Sequence, residues 1–591
     1  MMFSKEDIYA TLKDVWGYDS FRDGQYEIIS SALEGRDTLG ILPTGGGKSL
    51  TFQIPALMKD GLALVVTPLI ALMKDQVRNL EARGIRALAI HTGMTRREVD
   101  TALNNAAYGD FKFLYISPER INTELFQSWL QLLNVNYIVV DEAHCICQWG
   151  YDFRPDYLRI KVLRQLVDAP VIALTATATP EVAADIMDKL EFGAPNMIRT
   201  SFERPNLSYS CVDTIDKRGE ILRRCLSTPG TGIVYVRSRK LTEELGAFLC
   251  AAGVSASHYH AGLSPAERSR RQQDWIDGRV RVMVCTNAFG MGIDKPDVRF
   301  VLHYGLPDSI EAYYQEAGRA GRDGKPSDAV LLWNKDDCAR LRRFCSTEYP
   351  DLEYMEGIYH KMHAFYGIGY ETGMGRQLKL DIAAFCRQYS LNAMQAFSAI
   401  KYLERCGHWT LLEDVEVPTR VMIAVDSSEL YDTLLPDEGC SRLLDAMMRR
   451  CEGIFSYPVS IDEEGLAARC GMSVSTLRQS LYNMSVTHVI RYIPGTTSDL
   501  LLLHANRLYP KNVNLRPDLY NMLKGSSLRR TESVVEYARE DSQCRSLALL
   551  KYFGQEDAAA CGHCDVCKAV PDGARMRRAA VEDGTGEPYE I

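Results

Sequence analysis

The chain has 591 residues, a formal net charge of -9 at pH 7 and 25% charged residues. That length exceeds one hydrophobic core and calls for three to five domains. The acidic balance excludes a nucleic-acid partner held by a global basic field, so any such partner has to be met by local basic and aromatic features. No apolar run approaches the roughly 20 residues of a membrane span, and Met1–Asp7 lacks a signal peptide's apolar core. Seventeen cysteines, an odd number, suit free thiols in a reducing cytoplasm better than a disulfide framework.

In chain order, the first distinctive segment holds Tyr18, Arg22 and Gln25 ahead of a helix expected over residues 26–33. It reads as a capped turn or, placed before a phosphate loop, as an adenine-reading set. The ring of Tyr18 can stack on a base, and the Gln25 amide can pair with N6 and N7 together. Residues 38–42 follow as a buried strand, and 51–57 as a helix. Between them lies Pro43-Thr44-Gly45-Gly46-Gly47-Lys48-Ser49. A glycine turn between strand and helix lets backbone N–H groups converge on a phosphate, and the helix N-terminus adds unpaired donors and partial positive charge. Lys48 is placed for the β- and γ-phosphates of ATP and the Ser49 hydroxyl for Mg²⁺. Leu42 stands where the full P-loop pattern has its first glycine.

Apolar strands expected at 62–66, 113–116, 137–140 and 171–174 each end in a polar cluster: Thr67-Pro68, Ser117-Pro118-Glu119-Arg120, Asp141-Glu142-Ala143-His144 and Thr175-Ala176-Thr177. Short apolar strands alternating with helices indicate a parallel sheet, whose ligand sites lie at the strands' carboxyl ends. Asp141 is expected to organise Mg²⁺, and Glu142 to accept a proton from the attacking water. His144, Thr175 and Thr177 are expected to couple nucleotide state to neighbouring groups. The stretch after His144 crowds Gln148, Trp149, Tyr151, Phe153, Arg154 and Tyr157 onto a loop broken by Gly150 and Pro155. Such rings suit stacking on bases, worth about 1–3 kcal/mol each, against about 1.4 kcal/mol to open one duplex step. Packing against a neighbouring domain is the alternative use of the loop, and the two are compatible in different nucleotide states. Gln148, Trp149, Phe153 and Arg154 are the expected DNA contacts.

The order of these motifs resembles the RecQ family of DNA helicases: Phe21-Arg22 with Gln25, Thr44 to Ser49, Thr67 to Gln76, Asp141 to His144, and the Gln148–Pro155 loop. The linker Ser201-Phe202-Glu203-Arg204-Pro205-Asn206 is similar to that family's crossing between two motor domains. A second α/β unit follows over 203–345, ending in Gln315, Arg319 and Arg322. The two arginines are three apart, so on a helix they share a face. Arginines offered by a second lobe suit charge stabilisation at the γ-phosphate, a contribution of about 10³–10⁵ in rate. The resemblance implies Gln315, Arg319 and Arg322 at the ATP cleft, with Arg322 preferred as the finger, and Asp294 linking ATP to DNA. It covers residues 10–345.

Helix–turn–helix and strand patterns at 381–412 and again at 462–504 predict two winged-helix units. Near the C-terminus Cys544 and the compact run Cys561, Cys564 and Cys567 suit tetrahedral Zn²⁺, and this cluster also resembles the RecQ zinc site. The expected domains are 1–202 and 203–345 as RecA-like α/β motors with parallel sheets, 346–425 and 426–515 as winged-helix units, 516–570 as a helical zinc module, and 571–591 as a disordered tail. The resemblance implies an ATP-dependent DNA helicase moving 3′ to 5′ in recombination and repair. Its expected partners are single-stranded and forked duplex DNA, single-stranded-DNA-binding protein and recombination proteins, with no membrane, in a cytoplasmic, nucleoid-associated setting. An RNA-dependent ATPase and a nucleotide-gated DNA-binding regulator are the alternatives.

Overall fold

A computed structural model describes residues 3–91, 94, 96–147, 154–290, 295–425 and 438–569. Gln148, Trp149 and Phe153 of the aromatic loop, Asp294 and the tail 571–591 lie outside these residues. The chain forms two compact units, one of residues 1–345 with 522–591 and one of residues 346–521.

The first unit holds two parallel sheets. In the first are β1 (Thr38–Ile41), β2 (Leu62–Val66), β3 (Ala87–Ile90), β4 (Phe113–Ile116), β5 (Val135–Val140), β6 (Val171–Thr175) and β7 (Met197–Arg199). β1, β2, β4 and β6 are buried along their whole length, the pattern of a parallel sheet covered by helices on both faces. The order β3-β4-β2-β5-β6-β1-β7 sets β5, β6 and β1 side by side. Their carboxyl ends bring the Asp141-Glu142 pair, the Thr175-Thr177 turn and the glycine loop together, although up to 137 positions separate them in sequence (38 to 175).

The second sheet contains β8 (Leu207–Asp213), β9 (Thr231–Tyr235), β10 (Ala256–Tyr259), β11 (Val282–Cys285), β12 (Val298–His303) and β13 (Ser327–Trp333), in the order β10-β11-β9-β12-β13-β8. β8 is an edge strand, and the C-terminal cysteine segment covers it. Ser208 donates to the His563 carbonyl at 2.8 Å, and the Asp565 carboxylate accepts the Cys211 N–H at 2.8 Å. Covering an edge in this way satisfies backbone groups that would otherwise pair with another chain.

The second unit differs from the expected division at 425/426. One antiparallel sheet joins β14 (Gln377–Leu380), β15 (Trp409–Val417) and β19 (Thr496–Leu503). The other joins β16 (Arg420–Ile423), β17 (Val459–Ser460) and β18 (Ile490–Ile493). The Pro494-Gly495 turn therefore links strands of different sheets and is not the hairpin read from the sequence. β19 pairs with β15 from Trp409↔Leu503 onward and with β14, so the sheet of β16, β17 and β18 with its helices is inserted between β15 and β19. Leu501 and Leu503 of β19 are buried, and this burial against distant strands outweighs the local turn signal.

Candidate active site and metal centre

The helix Lys48–Met58 starts directly on the glycine loop, with Gly45 and Gly47 at φ 78° and 75°. Both conformations favour glycine, and a side chain at either position would also make a neighbouring side chain shift. A Cβ on Gly47 would lie 2.4 Å from Gln25 Nε2, and one on Gly45 would lie 3.1 Å from Arg322 Cγ. Arg22 donates to the Gly45 carbonyl. Gln25, buried, accepts the Arg22 N–H at 2.9 Å through Oε1 and donates Nε2 to the carbonyls of Gly46 and Gly47 at 3.0 Å each. Both ends of this amide are thus spent on the loop. In this conformation Gln25 braces the P-loop and is not presented to a base, which departs from the adenine-pairing expectation. Tyr18 stays 54% exposed, open for stacking.

Lys48 Nζ lies 3.3 Å from Glu142 Oε1, and His144 Nδ1 lies 3.5 Å from Glu142 Oε2. Glu142 sits at φ 48°, ψ 48°, a strained conformation for a non-glycine residue, held by its N–H donating to Asp141 Oδ1 at 2.9 Å. Burial pushes the Asp141 carboxyl up to about 6, with the Glu142 charge adding to it. Burial also works to raise Glu142, but the Lys48, His144 and Arg319 charges outweigh it and hold that carboxyl below its usual range. The two carboxyls are therefore driven apart, the pattern expected where each has a separate task. Ser49 Oγ accepts from the Gln76 amide at 3.0 Å, and Gln76 in turn accepts from Gln53 at 3.2 Å.

The second lobe supplies the facing wall. Gln315 Nε2 donates to Thr177 Oγ1 at 3.2 Å, and His144 Nδ1 lies 2.9 Å from Thr175 Oγ1. The arginines are not on one helix face as expected. The helix Ile310–Ala317 ends with Gly318 still at right-handed φ and ψ, and Gly321 then turns the chain at φ 63°, a left-handed conformation that glycine adopts without a Cβ cost. The turn lays Arg322 against Gly45, puts Arg319 within 2.9 Å of a Cβ built on Gly290, and presses Gly318 onto Thr44. Of the expected DNA contacts only Arg154 is described. It donates to the Pro68 carbonyl at 3.0 Å, while nearby Tyr157 donates to the Asp141 carbonyl at 3.0 Å. The base of the aromatic loop is thereby tied to the acidic pair.

Cys544, Cys561, Cys564 and Cys567 bring their Sγ atoms within 4.8 Å of one another. Cys544 Sγ lies 3.5 Å from Cys561 and 3.9 Å from Cys564. Four thiolates at about 2.3 Å from one zinc would stand about 3.8 Å apart, so this donor set fits Zn²⁺. None of the seventeen cysteines is in a disulfide. A second group, Glu243, His258 and His260, is equally close-set, but Arg271 donates to His258 Nδ1 at 3.2 Å. That contact uses the Nδ1 lone pair, and the guanidinium charge beside the ring works against a cation there.

Two contributors escape a reading of the sequence. The Gln76–Ser49 bond joins residues 27 apart. The Arg204 guanidinium reaches carbonyls of the P-loop and of the arginine turn, and nothing in its own neighbourhood signals either partner.

Residues 22–186 match the DEAD/DEAH box helicase family, 217–324 the helicase conserved C-terminal domain, 421–494 the RecQ helicase winged-helix domain of Bacteroidota, and 520–568 the RecQ zinc-binding domain. The two parallel sheets are accordingly RecA-like domains, and the cysteine cluster is a zinc site. The chain is 44% identical over 365 residues to the ATP-dependent DNA helicase RecQ of Haemophilus influenzae, covering 61% of this chain and 59% of that protein. To the protein of the same name from Pasteurella multocida it is 45% identical over 341 residues, 57% and 54% of the two chains. It thus spans a little over half the length of these two relatives. With the probable ATP-dependent DNA helicase RecS of Bacillus subtilis the identity is 45% over 441 residues, 74% of this chain and 87% of that one. The chain belongs to the RecQ family of helicases.

Proposed function

We propose that the protein is an ATP-driven DNA helicase that moves 3′ to 5′ along single-stranded DNA and opens duplexes in recombination and repair. The observation that carries this reading is the two-walled cleft. Lys48, Asp141 and Glu142 stand on one lobe, and Arg319 and Arg322 on the other, with Arg322 lying on P-loop Gly45.

Thr44, Gly45, Gly46, Gly47 and Ser49 form the phosphate cradle, and Tyr18 stacks on the base. The Lys48–Glu142 pair occupies the centre of the cleft before nucleotide enters. A polyphosphate competes for Lys48 by its greater charge, and Glu142, which loses the Lys48 charge that did most to hold its carboxyl low, becomes a stronger base for a proton from water. Arg322 and Arg319 offset the charge that develops on the transferred phosphoryl group. Ser49 and Asp141 are the residues to hold Mg²⁺, which when bound neutralises phosphate charge. Gln315 reports closure to Thr177, and Tyr157 and Arg154 carry the state of the acidic pair to the aromatic loop. There Gln148, Trp149 and Phe153 grip single-stranded or forked DNA, with Asp294 as the corresponding link in the second lobe. Alternate grip and release by the two lobes advances the strand. Single-stranded-DNA-binding and recombination proteins are the proposed protein partners, in a nucleoid-associated setting. Among the described residues no helix is long and apolar enough to cross a membrane.

The test is unwinding of a 3′-tailed duplex with ATP by the full chain and by Lys48→Ala. Unwinding by the first and none by the second is expected. Equal activity, or stimulation of hydrolysis by RNA but not by DNA, would reject the reading.

A further inference from the structure

We infer that Arg204, in the linker between the lobes, is the positioning residue that sets the arginine turn against the P-loop. This rests on the function proposed above, and specifically on Arg322 as the finger.

Nη1 of Arg204 donates to the carbonyls of Thr44 at 3.2 Å and Gly318 at 3.0 Å. Nη2 donates to those of Ala320 at 2.8 Å and Gly321 at 3.3 Å. Thr44 directly precedes the glycines of the P-loop. The other three carbonyls belong to the turn that carries Arg319 and Arg322. One planar fork therefore ties phosphate loop and finger turn together, a geometry that guanidinium satisfies and the point charge of a lysine ammonium does not.

The surroundings fix the fork on both sides. Asn206 Nδ2 donates to the carbonyls of Gly321 at 2.7 Å and Lys325 at 3.0 Å, holding the far end of the turn. Before Arg204, the buried Phe202 stacks on Phe553 at 4.7 Å and 18°, and its carbonyl accepts the Tyr314 hydroxyl at 2.7 Å. Gln555 accepts the Phe202 N–H at 3.1 Å. The linker cannot swing without breaking these contacts, so the guanidinium is presented at one place. Arg204 touches no reacting atom in this arrangement; its effect passes through the position of Arg322, whose side chain lies over Gly45. The fork also spans the cleft itself, so separating the lobes breaks the Thr44 bond while the three bonds to the turn can persist. Closure is then read at a single carbonyl.

The experiment uses the full chain with Arg204→Lys, Arg322→Ala and the double variant. DNA-stimulated hydrolysis is measured together with affinity for a fluorescent ADP analogue and melting temperature. A misplaced finger lowers the rate of the chemical step by roughly 10- to 100-fold, so Arg204→Lys is expected to lose about that much in kcat. Its ATP KM and ADP affinity should stay within about threefold and its melting temperature should not move. In the Arg322→Ala background the lysine change is expected to cost much less than it does alone, only what displacing Arg319 of the same turn takes away, because its main effect acts through a side chain already removed. Arg204→Gln serves if Arg204→Lys melts early.

Wild-type kcat in both Arg204 variants would overturn the inference, as would losses that multiply in the double variant or a raised KM at unchanged kcat. Full hydrolysis by Arg322→Ala would instead overturn the finger assignment on which it rests. The two failures are therefore distinguishable.

Discussion

Asp141→Asn is expected to make the nucleotide-free protein more stable, by an amount that depends on pH. The native carboxyl is raised from 3.8 to about 6 by burial and by the neighbouring Glu142 charge. A raised carboxyl means that between these values the native state binds more protons than the unfolded state, so stability falls as pH rises through that window and stays lower above it. The difference of about two pKa units corresponds to about 3 kcal/mol at pH 8, and to about half of that at pH 5. Asp141 keeps some solvent access, which makes these upper bounds. Asparagine carries no charge and can still accept the Glu142 N–H through its side-chain oxygen, so the penalty is removed with little loss of geometry. Urea denaturation of wild type and Asp141→Asn without nucleotide or Mg²⁺, at pH 5 and pH 8, reads the effect. The variant should gain at both values and gain more at pH 8. A variant no more stable than wild type at pH 8 would refute the account of this carboxyl as one kept at a cost for metal binding. In the same assay Mg²⁺ with a non-hydrolysable ATP analogue should stabilise wild type much more than the variant.

Gly318→Ala should push the lobes apart, since its Cβ would lie 2.0 Å from Thr44 Oγ1 and 2.8 Å from the Tyr314 carbonyl. Overpacking of about 1–3 kcal/mol predicts hydrolysis slower by about 5- to 150-fold, read as steady-state ATP turnover. Zinc analysis should find one ion per chain, bound by the four clustered cysteines. Cys564→Ser should lower that content and the melting temperature together, because metal binding of this kind supplies folding energy of about 10–16 kcal/mol. Gln76→Leu should raise the Mg²⁺ concentration needed for half-maximal hydrolysis, because Ser49 loses the donor that orients it. An unchanged Mg²⁺ requirement would remove that role.

The parts of the site that were legible in the sequence are those written in consecutive residues. The glycine turn before Lys48 and Ser49, the Asp141-Glu142 pair after an apolar strand, and the Cys561–Cys567 spacing each carry their chemistry locally. The turn at Gly321 was also locally encoded, since a glycine just beyond the last helical residues is a termination signal, yet the three-residue arginine spacing suggested a continued helix. Gln25 was ambiguous in principle, because an amide able to pair with adenine is equally able to bond P-loop carbonyls, and only the fold decides between them. Arg204 and β19 lay beyond sequence reasoning for a different reason. Arg204 finds Thr44 and Gly318 at separations of 160 and 114 residues, and β19 returns across a whole nested domain to pair with β15. Such partners are chosen by packing between elements, and no local pattern records them.

The central claim is that the two lobes meet at Thr44 and Gly318 across one nucleotide cleft, and a designed cross-link tests it most directly. A Cβ on Gly318 stands 3.2 Å from Thr44 Cβ, a few tenths of an ångström inside the roughly 3.5–4.5 Å that a disulfide spans, so the slight separation that a side chain at 318 imposes brings the pair into range. In Thr44→Cys with Gly318→Cys, mild oxidation should link the peptides containing these two positions, as seen by mass spectrometry. DNA-stimulated ATP hydrolysis should stop on oxidation and return on reduction to the level seen before it. Failure to form the 44–318 link, or cycling of ATP and DNA at an undiminished rate with the link in place, would contradict the account.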